Sequence, residues 1–189
     1  MPYEPPAELA ALSLAELAEA VAARRLPAVD KWNPARTGES HMRIAADGTW
    51  FHEGGRITRP AMVRAFSSLL TRDSDGQHWL VTPVEKLAIT VDDAAFMATD
   101  MDVRTDAEGR PVIAFRLNTD EVVLAGPDHP ILARGTAETP AFYLAVRHGT
   151  EARLNRSTYG QLIDHALTLT EPEALAVGSQ GVRFGLLPA

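Results

Sequence analysis

"ADGTWFHEGGRITRPAMVRAF" (residues 46–66) and "RHGTEARLNRSTYGQLIDHAL" (147–167) run through the same series of signals. Each reads Gly-Thr, a strand, an Arg-x-Thr turn and an amphipathic helix. Gly48-Thr49 answers Gly149-Thr150, Arg56 and Thr58 answer Arg156 and Thr158, and Met62, Val63 and Phe66 answer Leu162, Ile163 and Ala166. Beyond each helix a glycine leads into a short strand ending in proline, "GQHWLVTP" and "GVRFGLLP". The spacing of about 100 residues is longer than a solenoid repeat, so it predicts a duplicated unit rather than an array. Two like units leave a cleft between them, and such clefts are favoured ligand sites.

Outward from these copies the chain reads as α+β. Ser13 opens a first helix with Glu16 in capping-box spacing, and Leu14, Leu17, Ala18 and Val21 share one face. "KWNPARTGES" (31–40) reads as a turn-rich loop, and Asp47-Gly48 as a hairpin turn. Thr58 is placed to cap a helix that begins at Pro60. From residue 78 the reading is β. "HWLV", "EKLAITV", "AAFMATDMDVR", "VIAFRLN" and "EVVLA" are strands, and a hairpin turns at His148-Gly149. A last helix starts at Ser157 or Thr158, and "GVRFGLL" is a short strand. The expected fold is α+β, with duplicated hairpin–helix units and an antiparallel sheet. The first unit covers 1–82 with the N-terminal helix, and the second, β-rich unit covers 83–189.

The 189 residues carry a net charge of −7, which argues against broad binding to nucleic acid or to an anionic membrane, since both need a basic surface. A local basic pocket stays open. The absence of cysteine rules out disulfides, thiolate catalysis and cysteine-ligated zinc, and fits a cytoplasmic setting. The acidic, proline-rich start is unlike a signal peptide, and no apolar run reaches the length of a membrane helix.

One charged pair interrupts the apolar strands. Alternation places Glu85 with Leu87, Ile89 and Val91 on one face, and Lys86 with Ala88 and Thr90 on the other. Glu85 therefore points inward or into a cleft and needs a partner, with Arg59, Arg147 and Arg156 as candidates. Two roles are open to it: an ion pair that fixes the units together, or the polar wall of a pocket. "FRLNTDE" (115–121) puts Arg116 and Asn118 on one strand face, where they could hold a phosphate or a base edge. Asp100 and Asp102 also share a face, as a solvated pair or as acid–base or cation-binding groups. No Walker loop, dinucleotide fingerprint, nucleophile elbow or paired-histidine metal motif occurs, so no cofactor or metal is expected.

Three stretches are specific in combination: "MRIAADGTWFHEGGRITRPAMVRAFSSLLTRDSDGQHWLVTPVEKLAITVDDAAF", "LNTDEVVLAGPDHP" and "RHGTEARLNRSTYGQL". Over roughly residues 30–168 the chain resembles the bacterial family called domain of unknown function 1285. That resemblance implies two small α+β units, the second like a pleckstrin-homology fold. It also implies a nucleotide-like ligand between the units and a role in signalling, with no enzymatic activity attached. The positions matching the family are Arg59, Thr82, Pro83, Glu85, Lys86, Asn118, Thr119, Arg153 and Arg156.

The expected function is a ligand-binding or sensor protein. A small anionic, nucleotide-like molecule would be contacted by Arg59, Lys86, Asn118 and Arg156, with Thr82, Thr119 and Arg153 beside them and Glu85 orienting an arginine. The alternatives are an adaptor that docks a protein partner through a sheet edge, and a hydrolase using Glu85 or Asp100 and Asp102.

Overall fold

The computed structural model describes residues 13–23, 26–169 and 174–188. It opens with helix α1 (Leu14–Ala23), whose capping box is formed: Glu16 Oε2 accepts from the Ser13 amide at 2.6 Å, and Ser13 Oγ from the Glu16 amide at 3.2 Å. The expected apolar face of α1 includes Leu17 and Val21, whose side chains lie outside the described residues.

The first sheet is built from β1 (Arg36–Ile44), β2 (Trp50–His52), β3 (Gly55–Arg56), β4 (Leu70–Arg72), β5 (His78–Val81) and β6 (Glu85–Val91). Helix α2 (Pro60–Ser67) lies between β3 and β4. The spatial order is β3-β2-β1-β6-β5-β4. β1 runs parallel to β6, and the other neighbours are antiparallel. The β1–β2 turn closes as its sequence demands. Gly48 takes φ +86°, a conformation glycine adopts without steric cost, and Asp47 Oδ1 accepts from the Thr49 amide at 2.9 Å.

The second sheet uses β7 (Phe96–Thr105), β8 (Pro111–Leu117), β9 (Val122–Leu124), β10 (Ile131–Gly135), β11 (Pro140–Ala145) and β12 (Glu151–Leu154). Its order is β10-β11-β12-β7-β8-β9, with β12 parallel to β7. Helix α3 (Arg156–Thr168) follows β12 directly. A hairpin of β13 (Ala176–Ser179) and β14 (Val182–Gly185) is pinned to this sheet by buried Ser179. Its hydroxyl accepts from the Ile113 amide at 2.8 Å and donates to the Ala125 carbonyl at 2.7 Å.

The two sheets share one winding. Each is a three-strand meander followed by a second, the first strand of the former pairing in parallel with the last strand of the latter. Several expectations are corrected here. The sheets are mixed rather than antiparallel, and the protein is mostly β. β6 is hydrogen-bonded within the first sheet, so the division falls in the Asp92–Ala95 segment rather than at residue 82. The duplication also has a different register from the one the sequence suggested. Matching by strand order pairs β1 with β7 and β6 with β12, offsets of 60 and 66 residues between Arg36 and Phe96 and between Glu85 and Glu151. The quoted copies instead equate β2 with β12. A glycine turn, a strand and an amphipathic helix form a local signal, and it recurs wherever a strand feeds a helix.

Two local expectations also change. Residues 36–40, read as loop, extend β1 alongside β6. Arg59 rather than Thr58 is the N-cap of α2, without a side-chain bond, whereas Asn155 caps α3 by accepting from the Thr158 amide at 2.8 Å.

A single apolar core crosses both units. Ile44, Trp50, Leu70 and Ile89 from the first join Phe96, Phe115, Phe142 and Leu162 from the second. Burial at such positions is the main force holding the sheets together. No helix among the described residues is long and apolar enough to cross a membrane.

Candidate functional site

Ionic groups collect where the units meet, and Arg147 is among them, though it pairs with Glu121 rather than with Glu85. Arg147, in the β11–β12 turn, pairs with the buried carboxylate of Glu121. Its Nη2 donates to the Ser67 carbonyl of α2 at 3.3 Å, and its guanidinium lies 5.0 Å from the Phe96 ring centre. Thr119, also buried, donates from its hydroxyl to Glu121 Oε2 at 3.0 Å. Arg64 of α2 reaches Asp120 at 3.5 Å, and Arg72 reaches Glu151 at 3.8 Å. The Arg72 amide donates to the His148 carbonyl at 2.9 Å. Asn118 serves the same junction: it exchanges bonds with the Met97 backbone, and its amide packs against Gly48. These contacts lock the units in place.

Beside this junction is a cleft of about 400 Å³. Its floor comes from Met97, Phe142 and Tyr159, and Ala46 of the first unit closes one side. Phe142 and Tyr159 stack at 5.0 Å with 15° between their planes. Arg153 and Arg156 supply the charge, at the N-terminus of α3. Arg153 is anchored from below: Asp93, in the segment joining the sheets, accepts from its Nη1 at 2.7 Å and from the Tyr143 hydroxyl at 2.6 Å. The hydrogen bond that Arg153 donates to Asp93 holds the Arg153 pKa above its usual value, so this side chain stays cationic. Burial, followed by the bond to Asp93, raises Tyr143, which stays a neutral donor. Arg156 is exposed and makes no ion pair among the described residues.

The remaining sequence-selected residues are dispersed. Arg59 is exposed at the start of α2. Lys86 binds Asp73 at 3.1 Å and lies 4.4 Å from the Trp79 ring centre, on the opposite face of β6 from Glu85. Thr82 and Glu85 line a separate cavity inside the first unit. Glu85 is 3.9 Å from Arg36, so its cationic neighbour is none of the three arginines expected. Asp102 pairs with Arg104, and Asp100 accepts from Gln161 at 3.1 Å, which ties both carboxylates into local contacts. No cluster of three or more potential metal ligands occurs among the described residues.

Two family models divide the chain between them. Residues 27–94 match "Domain of unknown function (DUF1285), N-terminal domain", and residues 95–186 match "Protein of unknown function (DUF1285), C-terminal domain". The chain belongs to the DUF1285 family. A crystal structure of a DUF1285 family protein from Silicibacter pomeroyi DSS-3 is 38% identical, with a TM-score of 0.78 over 94% of this chain and 96% of that one. A second, from Shewanella baltica OS155, is 21% identical with a TM-score of 0.52, over 65% of this chain and 90% of that one, and shows a shared fold. No curated protein matches. The DUF1285 boundary at residues 94 and 95 coincides with the gap between β6 and β7.

In this DUF1285 member the groups that sequence reasoning missed are Asp93, Tyr143, Phe142 and the Arg147–Glu121 pair. In sequence Asp93 is one of two adjacent aspartates with nothing beside it to mark a role. Only the return of β11 and β12 beside β7 brings Tyr143 and Arg153 to it.

Proposed function

We propose that the protein is a ligand-binding or sensor protein whose cleft at the start of α3 takes a small anionic, nucleotide-like molecule. The observation carrying this reading is the convergence of Arg153 and Arg156 on one cleft with the stacked Phe142–Tyr159 pair. A guanidinium offers planar, charge-assisted donors to phosphate or carboxylate oxygens, and an aromatic wall suits a planar base. The helix N-terminus adds to the positive field. The pocket is local in a chain of net charge −7, so the field there acts on a small ligand and not on a polyanion.

In this reading the second unit is pleckstrin-homology-like, since α3 directly follows β12, the last strand of its six-stranded sheet in chain order, and packs on β7 and β12. A signalling role in a reducing cytoplasm is consistent with a cysteine-free sequence.

Thermal melting with mononucleotides, cyclic nucleotides and pyrophosphate tests the proposal, because a ligand that binds only the folded state raises the midpoint. At least one compound is expected to raise it in the wild type and to lose most of the shift in Arg156→Ala. No shift across the panel at millimolar ligand would overturn it.

A further inference from the structure

A second cavity, of about 440 Å³, lies inside the first unit between α2 and the first sheet. That is within the range of small-molecule sites, roughly 300–1,000 Å³. Met62 and Phe66 form the helix wall, and Met42, Leu80 and Leu87 the sheet wall. Apart from Ser40 on β1, whose hydroxyl donates to the Ala88 carbonyl at 2.7 Å and accepts from the Met42 amide at 3.1 Å, its polar groups lie toward two ends. Thr82 and Glu85 mark one, where the β5–β6 turn begins, and His52 marks the other. Met42 is opposite His52 on β2, and the next residue, Arg43, is opposite Thr90 on β6, so His52 lies toward the Ile89–Thr90 end of β6. The five residues from Glu85 to Ile89 span roughly 13 Å of strand. A trough whose one hydroxyl, Ser40, is already bonded to backbone therefore separates two polar ends.

Glu85 is the decisive group. It is the one carboxylate in the lining, and neither lysine nor arginine lines the cavity among the described residues. Its cationic neighbour, Arg36, stands off at 3.9 Å with a side chain 81% exposed, a loose and solvent-screened pair. The Thr82 hydroxyl is occupied within its own turn, accepting from the Glu85 amide at 3.1 Å and donating to the Glu85 carbonyl at 3.2 Å. Recognition of a polar head thus falls to the Glu85 carboxylate. Exposed Met62 gives the entrance an apolar rim, and Val84, beside Glu85, is 73% exposed.

We propose that this cavity binds an amphipathic amine, with its apolar body in the trough between α2 and the sheet and its ammonium group on Glu85. An anion would face a carboxylate that its loose pair with Arg36 only partly offsets, and a neutral hydrocarbon would gain nothing from it. This site shares no residue with the α3 cleft and takes the opposite charge, so either can fail alone.

Calorimetric titration with octylamine, octanol and octanoate distinguishes the cases. Octylamine is expected to bind about tenfold tighter than octanol, the size of one charge-assisted hydrogen bond, and octanoate to bind weakest. Glu85→Gln should erase the advantage of the amine and leave octanol within about twofold of its wild-type affinity. Met62→Trp, filling the cavity from its exposed rim, should weaken all three. Absence of saturable binding, equal affinity for octylamine and octanol in the wild type, or an amine preference that survives Glu85→Gln would overturn the proposal. If Glu85→Gln does not fold, the wild-type ratio of amine to alcohol affinity decides.

Discussion

Arg147 bonds the Glu121 carboxylate of its own unit and the Ser67 carbonyl of the other, so one guanidinium holds the second unit together and ties it to the first. Both side chains are largely buried, at 12% and 4% exposure. Removing one partner of such a pair strands a charge in low dielectric, which costs about 3–5 kcal/mol. Glu121→Gln and Arg147→Met should each destabilise the protein by about 3 kcal/mol in urea unfolding. The double variant should lose clearly less than the sum, with a coupling of about 1–3 kcal/mol, because it leaves no unpaired charge. Additive losses would mean that the pair does not act as a unit.

The close approach behind that turn gives a second prediction. Gly149 has φ +79°, and a Cβ placed there would sit 2.5 Å from the Arg72 carbonyl oxygen, a backbone atom of the first unit. Gly54 has nearly the same backbone, φ +81°, but nothing within 4 Å of its Cβ position. Gly54→Ala should cost about 1–2 kcal/mol, the left-handed penalty alone. Gly149→Ala adds a backbone clash across the junction and should cost at least about 2 kcal/mol more. Comparing the two midpoints separates conformational strain from interdomain contact.

His78 gives the protein a pH dependence. It is 7% exposed on β5, and burial, followed by the nearby Arg72 charge, lowers its pKa from the ordinary 6.5, with Glu151 opposing. Burial lowers His165 in the same direction. The folded state therefore favours neutral imidazole, and the unfolded chain takes up protons at higher pH. This contribution is complete above pH 6.5 and is lost as pH falls from there through the lowered folded value. Urea midpoints at about pH 7.5, 6 and 5 should decline in the wild type and decline less steeply in His78→Gln. An unchanged slope in the variant would remove His78 as a source.

Much of the local architecture was legible because turns and strands carry their chemistry in neighbouring residues. Asp47-Gly48 and His148-Gly149 need positive φ, which both glycines adopt. Pro83 separates β5 from β6, and alternation correctly places Glu85 and Leu87 together and Lys86 opposite. What was hidden is pairing between distant strands. The parallel contacts β1–β6 and β7–β12 join residues about fifty apart and leave no local mark in either strand. For that reason residues 36–40 read as loop, and the duplication was matched helix to helix rather than meander to meander. The candidate site was partly legible for the same reason. Arg153 and Arg156 are neighbours in sequence and meet in the α3 cleft, whereas Thr82 and Glu85 belong to another cavity and Asn118 and Thr119 to the junction.

The shared core makes a prediction about cooperativity. Trp50, Leu70 and Ile89 of the first unit are in the same cluster as Phe96, Phe142 and Leu162 of the second, so neither sheet closes its apolar face alone. The three tryptophans, Trp32, Trp50 and Trp79, all belong to the first unit, while Tyr143 and Tyr159 report on the second. Tryptophan fluorescence and near-ultraviolet tyrosine dichroism should therefore follow one coincident transition in urea, as expected for a single cooperative unit. The fragment 27–94, which contains all of the first sheet, should show no cooperative transition and should bind an apolar dye, since it exposes the first unit's part of the shared core. Reversible two-state folding of that fragment would show that the family boundary separates two independent cores, and the seam ion pairs would then be docking contacts rather than part of the fold.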